Sequence, residues 1–365
     1  MSPFLMRRKR LQAEMKQGHQ LVVESGQEVI RNGDAHYKFR PNSDFLYLTG
    51  FSEPNAAIVI EKDNTTVFVM PKDAVKEMWN GKRLGVEQAL ITLDADKSYS
   101  YSNFNKTLYP CTRMSLQLLH RMRTVKDFDE VDNLTKSTRI AMEAHHRAMR
   151  LVTFKEKENN LQAIFDGKFT SSGVEHSYTP IVASGHNALC LHYTDNNKAL
   201  EQGQLVLIDA GCEYKGYASD ITRTFPVDGK FTQLQSELYE IVLNANKEVI
   251  RFIKAGVTMS QIDSLARGII CDGLNSLGYK NPSQYFPHGT SHFLGLDVHD
   301  VGDRDLPLKN GNVITVEPGI YIPELGIGIR IEDDILVLKD DSINLTEDLV
   351  KEVSDIEETI LCPLT

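Results

Sequence analysis

The 365-residue sequence lacks a basic surplus: 40 Lys and Arg stand against 50 Asp and Glu, leaving a formal charge of -10. Nothing in that balance draws the chain to phosphate backbones or anionic lipid, so nucleic acid and membrane are not expected partners. Long apolar runs are missing too. Stretches such as Leu205 to Ile208 fall far short of the ~20 residues that a membrane-spanning helix needs. The basic cluster Arg7-Arg8-Lys9-Arg10 runs into Gln12, Glu14 and Lys16, where a signal peptide requires an uninterrupted apolar stretch, so it reads as a solvated first helix. Cysteine is sparse and never spaced as CxxC. Cys111, Cys190, Cys212, Cys271 and Cys362 are odd in number and widely spread, which fits neither a disulfide framework nor a thiolate zinc site. A reducing, cytoplasmic setting is the expectation. The single tryptophan, Trp79, reads equally as core filler or as a functional group.

What is present is a globular composition, 41% hydrophobic and 25% charged, with material for two domains at the usual ~100 to 200 residues each. Short strand signals at Leu21–Val23, Ala57–Ile60 and Thr66–Met70 alternate with turns and predict a small α/β domain over residues 1–123. Segment 98–106, rich in Ser, Tyr and Asn, reads as an exposed connection. A strong helix then follows, with Val131, Leu134, Ile140, Met142 and Met149 at roughly helical intervals, and opens a second domain over 124–365. There, strands separated by Gly and Asp surround helical regions near Gln233–Lys254 and Ser260–Leu277. The fold class is α/β (α+β). No short repeat is visible, but two strand pairs bearing carboxylates flank those helices, a coarse echo compatible with an ancient duplication.

The chemistry gathers on that echo. Asp209 ends the run Leu205-Val206-Leu207-Ile208, which reads as a strand buried on both faces. Asp220 begins the alternating Asp-Ile-Thr-Arg-Thr-Phe. A tight turn near Tyr214-Lys215 makes the two aspartates face each other across an antiparallel hairpin, with Cβ atoms ~4.5 to 5.5 Å apart. Like charges that close force one carboxyl to stay protonated unless cations lie between them. Alone, the pair reads equally as two turn aspartates. Glu317 follows Asn312–Val316 and precedes Pro318-Gly319, and Glu332 lies in Gly328-Ile329-Arg330-Ile331-Glu332-Asp333. Alternation puts Arg330 and Glu332 on one face, so Arg330 is expected to orient its acidic neighbour. Between the pairs, Pro287–Asp300 holds three of the eleven histidines, His288, His292 and His299, beside Gly289 and Gly295. The remaining histidines stand apart and read as surface or structure. Four carboxylates and one imidazole are too acidic for a structural zinc centre. Two divalent ions would neutralise them, held ~3.5 to 4 Å apart as in two-metal hydrolases. The oxygen-rich set favours manganese, with cobalt or zinc able to substitute.

At these residues the chain resembles the aminopeptidase P (Xaa-Pro aminopeptidase) family, nearly end to end. Phe39-Arg40-Pro41-Asn42-Ser43-Asp44-Phe45-Leu46-Tyr47-Leu48-Thr49-Gly50-Phe51 and Met78-Trp79-Asn80-Gly81-Lys82-Arg83-Leu84-Gly85 are similar to signatures of that family's N-terminal domain, and the His288–Asp300 run is similar to its catalytic signature. The resemblance implies a pita-bread catalytic domain behind a smaller N-terminal α/β domain. It implies metal ligands at Asp209, Asp220, His292, Glu317 and Glu332, with Asp220 and Glu332 bridging two ions. Leu191-His192-Tyr193-Thr194 resembles the segment that carries a further active-site histidine, so His192 joins His288 and His299 on the substrate side.

The activity so implied is hydrolysis of the first bond of Xaa-Pro-Yaa peptides by a metal-bridged hydroxide. Glu317 would act as base or proton shuttle, His299 and His192 would contact the tetrahedral species, and His288 would line the proline pocket, with Arg330 also on the substrate side. Trp79 matches a tryptophan that reaches a neighbouring subunit in relatives, implying a homodimer or homotetramer. The short link from His299 to Glu317 leaves open whether Arg304 reaches substrate. The alternatives are a prolidase-like Xaa-Pro dipeptidase and a non-catalytic peptide-binding protein of the same fold, the latter disfavoured because all five ligand positions are intact.

Overall fold

Consecutive apolar runs become strands covered on both faces in the computed structural model, which describes residues 2–362. The chain divides into two units, one ending at Arg123 and the other beginning at Thr124. No helix among the described residues is long and apolar enough to cross a membrane.

The first unit is built on a four-stranded sheet ordered Gln20–Glu24, Ala57–Glu61, Thr65–Val69, Lys97–Ser100. The first three strands pair antiparallel and the last joins in parallel. Asn42 caps the helix Ser43–Thr49 by accepting from the backbone N–H groups of Asp44 and Phe45. Gly50 ends that helix at φ 63°, where a Cβ would run into the Phe4 ring at 2.3 Å. Only glycine fits there. Two expectations need correcting. Segment 98–106 is no loose connection: Lys97–Ser100 is the edge strand, and Tyr99 and Phe104 pack on Phe68 with ring centroids 5.8 and 5.2 Å away. Its polar letters hid a strand because an edge strand with one solvated face needs few apolar residues. Nor is Trp79 core filler, since it stands 82% exposed beside Met78 at 83% on the helix Ala74–Asn80.

In the second unit the helix Phe128–Leu151 starts at a capping box in which Asp127 and Glu130 satisfy each other's backbone N–H. Its buried stripe, including Leu134, Ala141, Ala144, Ala148 and Met149, follows the helical period, and Ala141 to Met149 share one core cluster with Phe165 and Phe169. Thr232 and Thr258 open the helices Gln233–Phe252 and Met259–Ser276 with the same device. Leu205–Asp209 is the central strand of a sheet with Ile181–Ser184 and Thr222–Pro226, and is buried at every position. A second sheet centres Asp333–Val337 between Val313–Val316 and Ser342–Asn344, while Gly319–Ile322 and Ile327–Arg330 form a separate hairpin.

The first hairpin turns at Lys215 and Gly216, both at positive φ. Its register sets Asp209 opposite Thr222, so Asp220 lies diagonally across from Asp209, on the same face and two residues removed. The expected directly opposed pair is corrected to a diagonal one, a wider spacing of roughly 7 to 8 Å for such neighbours. The slack comes from the two-residue offset, which leaves room between the carboxylates.

The two sheets are joined behind that face by a buried ion pair. Arg223 donates to Asp333 Oδ1 at 2.7 Å and to the Glu332 carbonyl at 2.6 Å, and both side chains are fully buried. Lys351 pairs with Asp333 Oδ2 at 2.6 Å. Burial opposes the charge of Asp333, but Arg223 and Lys351 outweigh it and hold this carboxyl well below the usual range. Arg223→Met is expected to cost about 3 to 5 kcal/mol, towards the lower end because Lys351 remains. Denaturant unfolding of the second unit measures it, and a loss under about 1 kcal/mol would mean that the pair does not join the sheets.

Candidate functional site

Four positions at strand ends and one irregular segment deliver the acidic and imidazole groups to one place. Asp209 closes the central strand, Asp220 precedes Thr222–Pro226, Glu317 follows Val313–Val316, and Glu332 falls between Ile327–Arg330 and Asp333–Val337. The histidine-bearing segment is pinned alongside. His292 N–H donates to Thr315 Oγ1 at 3.1 Å, Thr315 N–H returns to the His292 carbonyl at 3.0 Å, and Glu317 N–H donates to the Thr290 carbonyl at 2.9 Å.

These groups converge. Donor atoms of Asp220, His292 and Glu332 all lie within 4.8 Å of one another. His292 Nε2 stands 3.3 Å from Asp220 Oδ2 and 3.6 Å from Glu317 Oε1. Its other nitrogen, Nδ1, is 3.0 Å from the Phe293 carbonyl, which can only accept, so Nδ1 carries a proton. Nε2 is the nitrogen turned to the carboxylates, protonated towards Asp220 while the ring is charged and free to ligate once a metal displaces that proton. Asp209 Oδ1 accepts from the Tyr178 hydroxyl at 2.5 Å and Oδ2 from Arg330 at 2.6 Å. Thr222 donates to Glu332 Oε2 at 2.5 Å. The expected partnership of Arg330 with Glu332 is therefore corrected. The guanidinium reaches across to Asp209, and the hydroxyls of Thr222 and Tyr321 take its other donors. Sharing a face does not decide which neighbour a long side chain meets.

The electrostatics test whether cations fit. Burial, then the charges of Asp220, Glu317 and Asp209, push Glu332 well above the usual carboxylate range. Burial likewise raises Glu317, to about 7, with Asp220 and Asp209 adding to it against His292 and Arg330. Asp209 is raised by burial although Arg330 opposes the shift. For His292 burial disfavours the charged ring, but the hydrogen bond and charge of Asp220, with Glu317, carry it to about 9. Carboxylates that repel and an imidazole that gathers protons mark a surplus of negative charge, and oxygen donors with one nitrogen suit divalent ions. The residues present fit metal.

All five line a cavity of about 420 Å³, together with His192, His288, His299, Arg304 and Arg330. A smaller cavity of about 280 Å³ is lined by Tyr178, Ile181, Val298, His192, His299, Asp209 and Asp220. His288 Nδ1 donates to the Gly289 carbonyl at 2.9 Å, and Nε2 accepts from the Tyr321 hydroxyl at 2.8 Å. Burial, then the nearby Arg330 charge, depresses this ring to about 4, so it stands neutral. The His299 ring meets that of His292 edge-on at 4.3 Å. Arg304, whose reach was left open, lines the larger cavity and donates to the Ser291 carbonyl at 2.9 Å. Trp79 belongs to the first unit, on its exposed helix face. Sequence reasoning missed Tyr178, Thr222 and Tyr321. Thr222 was readable from the alternation that pairs it with Asp220. The two tyrosines gave no local signal, because their hydroxyls meet partners 31 and 9 residues away.

Comparison with known proteins matches both parts of the chain to known families. Residues 132–339 match metallopeptidase family M24, and residues 4–117 match the aminopeptidase P N-terminal domain. The Xaa-Pro aminopeptidase of Escherichia coli is 37% identical, with 97% of this chain and 96% of that protein covered. Intermediate cleaving peptidase 55 of Saccharomyces cerevisiae is 33% identical over 93% of this chain and 80% of that protein. Among solved structures, E. coli aminopeptidase P with the inhibitor Pro-Leu superposes with a TM-score of 0.92 at 36% identity, covering 99% and 98% of the two chains. A putative aminopeptidase P from Bacillus anthracis gives 0.91 at 34%, covering 98% and 97%.

Thr222→Val keeps the strand and its packing but removes the hydroxyl shared by Glu332 and Arg330. It is expected to weaken divalent-metal binding roughly 10- to 100-fold, measured by competition with a fluorescent chelator. Unchanged affinity would remove the hydroxyl from any part in orienting the carboxylates.

Proposed function

We propose that this chain, which belongs to metallopeptidase family M24 and within it to the aminopeptidase P proteins, hydrolyses the first peptide bond of Xaa-Pro-Yaa peptides. The single observation that carries this reading is the convergence of the Asp220, His292 and Glu332 donor atoms within 4.8 Å, in a cavity that three further histidines also line. Asp209, Asp220, His292, Glu317 and Glu332 would hold two divalent ions, with Asp220 and Glu332 bridging them. The oxygen-rich donor set favours manganese, with cobalt or zinc as substitutes. Bound there, the ions supply a hydroxide near neutral pH and polarise the scissile carbonyl.

The chain's own residues do the rest. Arg330 and Tyr178 hold the Asp209 carboxylate from both of its oxygens. His288, fixed edge-on between Phe286 and Tyr321 with ring centroids 5.0 and 5.4 Å away, lines the pocket for the proline ring. An Xaa-Pro bond is a tertiary amide with no N–H, so its leaving nitrogen must be protonated as the bond breaks. Glu317 is the proton carrier, since Oε1 accepts from Thr315 at 3.3 Å and Oε2 faces His288 Nδ1 at 3.5 Å, at the cavity wall. His299 and His192 donate to the substrate oxygen as it gains charge. The exposed Val75, Met78 and Trp79 on one short helix of the first unit support association into a homodimer or homotetramer. Five free cysteines support a reducing, cytoplasmic setting.

The test is release of the first amino acid from a short Xaa-Pro-Yaa peptide, with chelator and with added Mn²⁺. Activity abolished by chelator and restored by Mn²⁺ is expected, and cleavage of Xaa-Pro dipeptides alone would make the chain a dipeptidase instead. Asp220→Ala should lose both ions by elemental analysis, and retention of two would remove the bridge. His299→Ala should keep its metal and lose on the order of 10² to 10³ in kcat. An unaltered rate would exclude its role.

A further inference from the structure

Behind the cavity lies a carboxylate that the mechanism has not used. Glu158, the first residue of the helix Glu158–Ser171, is fully buried, and among the described residues no lysine or arginine pairs with it. Five donors satisfy it instead. Oε1 accepts from Ser184 N–H, Ser184 Oγ and Asn187 Nδ2, each at 2.8 Å; Oε2 accepts from Tyr193 Oη at 2.8 Å and Lys198 N–H at 3.0 Å. Its own N–H donates to the Lys198 carbonyl at 2.9 Å. A buried carboxylate is tolerable only when so many donors replace water, and all five come from the segment 184–198.

His192 sits in the middle of that segment. Leu191 and Tyr193, its neighbours, pack inward on the cluster of Ile181, Ala183, Leu207 and Tyr321, which turns His192 out to both cavities. The imidazole makes no hydrogen bond of its own among the described residues, so only its backbone fixes it. Tethers on the near side at Ser184 and Asn187, and on the far side at Tyr193 and Lys198, all end on one side chain. We propose that Glu158 is a positioning residue for the hydrolysis, holding the 184–198 loop so that His192 meets the substrate. This rests on the aminopeptidase reading above.

Glu158→Gln keeps the size but meets the Lys198 N–H with an amide that can turn only one oxygen to five donors. Kinetics on Xaa-Pro-Yaa are measured for wild type, Glu158→Gln, His192→Ala and the double variant. Metal content should be unchanged and kcat should fall roughly ten- to hundredfold in Glu158→Gln. The same change made in His192→Ala should cost less than about twofold more. An equal loss in both backgrounds, or a kcat within about twofold of wild type, overturns the proposal. Tyr193→Phe carries the same cycle if Glu158→Gln does not fold, with a smaller loss expected because one tether of five goes. The ring resonance of His192, assigned with His192→Ala, should shift in Glu158→Gln whether or not the wild type cleaves peptide. A wild type that releases no amino acid would therefore sink the functional reading alone, and an unmoved resonance would sink the tether.

Discussion

Everything around the cavity answers one constraint: several carboxylates are brought out of water into a space where they repel one another. Arg330 and His292 oppose them from within the site, yet Glu317 and Glu332 still stand above their ordinary range. The surrounding design follows from keeping such a cluster in order. Tyr178, Thr222 and Thr315 give Asp209, Glu332 and Glu317 respectively a hydroxyl donor on the protein side, which fixes the orientation of these three groups. Deeper still, Asp334 takes the Asp220 N–H while remaining well above its normal range through burial and the charge of Asp220. The same cluster would unfold the site if the strands that carry it could slip, since a one-residue shift turns every side chain to the other face. The fully buried Arg223–Asp333 pair lies where that slip would start, one residue along from both Thr222 and Glu332.

Labour is divided between two kinds of backbone. Strand ends carry the carboxylates, because ladder hydrogen bonds fix their positions rigidly. Irregular segments carry His192, His288 and His299, and the stretches of His192 and His288 are each held from a neighbouring helix. His288 is held by Arg267, which donates to the Phe286 and His288 carbonyls at 2.7 and 2.6 Å while Asp263 takes its Nε. His192 depends on Glu158 in the same sense. A helix thus stands behind each of these two segments and makes it part of the scaffold.

Much of this was legible beforehand, and the divide between what was and was not is physical. Strands such as Leu205–Asp209 and helices such as Gln233–Phe252 announce themselves through periodicity and caps, which are local. The carboxylates were legible because acids at the ends of apolar strands are costly unless something compensates them. Their family resemblance supplied His192, which no local pattern marks. Three things escaped. The edge strand Lys97–Ser100 was hidden by its polar letters. The diagonal placement of Asp209 and Asp220 depends on register, which a turn position alone does not set. The partner of Arg330 was decided by the approach of two separate sheets, where Glu332 N–H donates to the Thr222 carbonyl at 3.1 Å. Tyr178 and Tyr321 belong to the same class, since what they do exists only after the chain has closed.

The Tyr321 hydroxyl has a single proton, and its neighbours leave that proton no choice. Arg330 donates to the oxygen at 2.9 Å, so the proton must go to His288 Nε2. A hydrogen-bonded chain therefore links the Asp209 carboxylate to the His288 imidazole, with Arg330 donating to both sides and the phenol passing its proton on to the ring. Along such a chain the Asp209 carboxylate and the His288 ring share one set of donors. Any free energy that a change of charge at Asp209 lends to the His288 ring must be returned in equal measure.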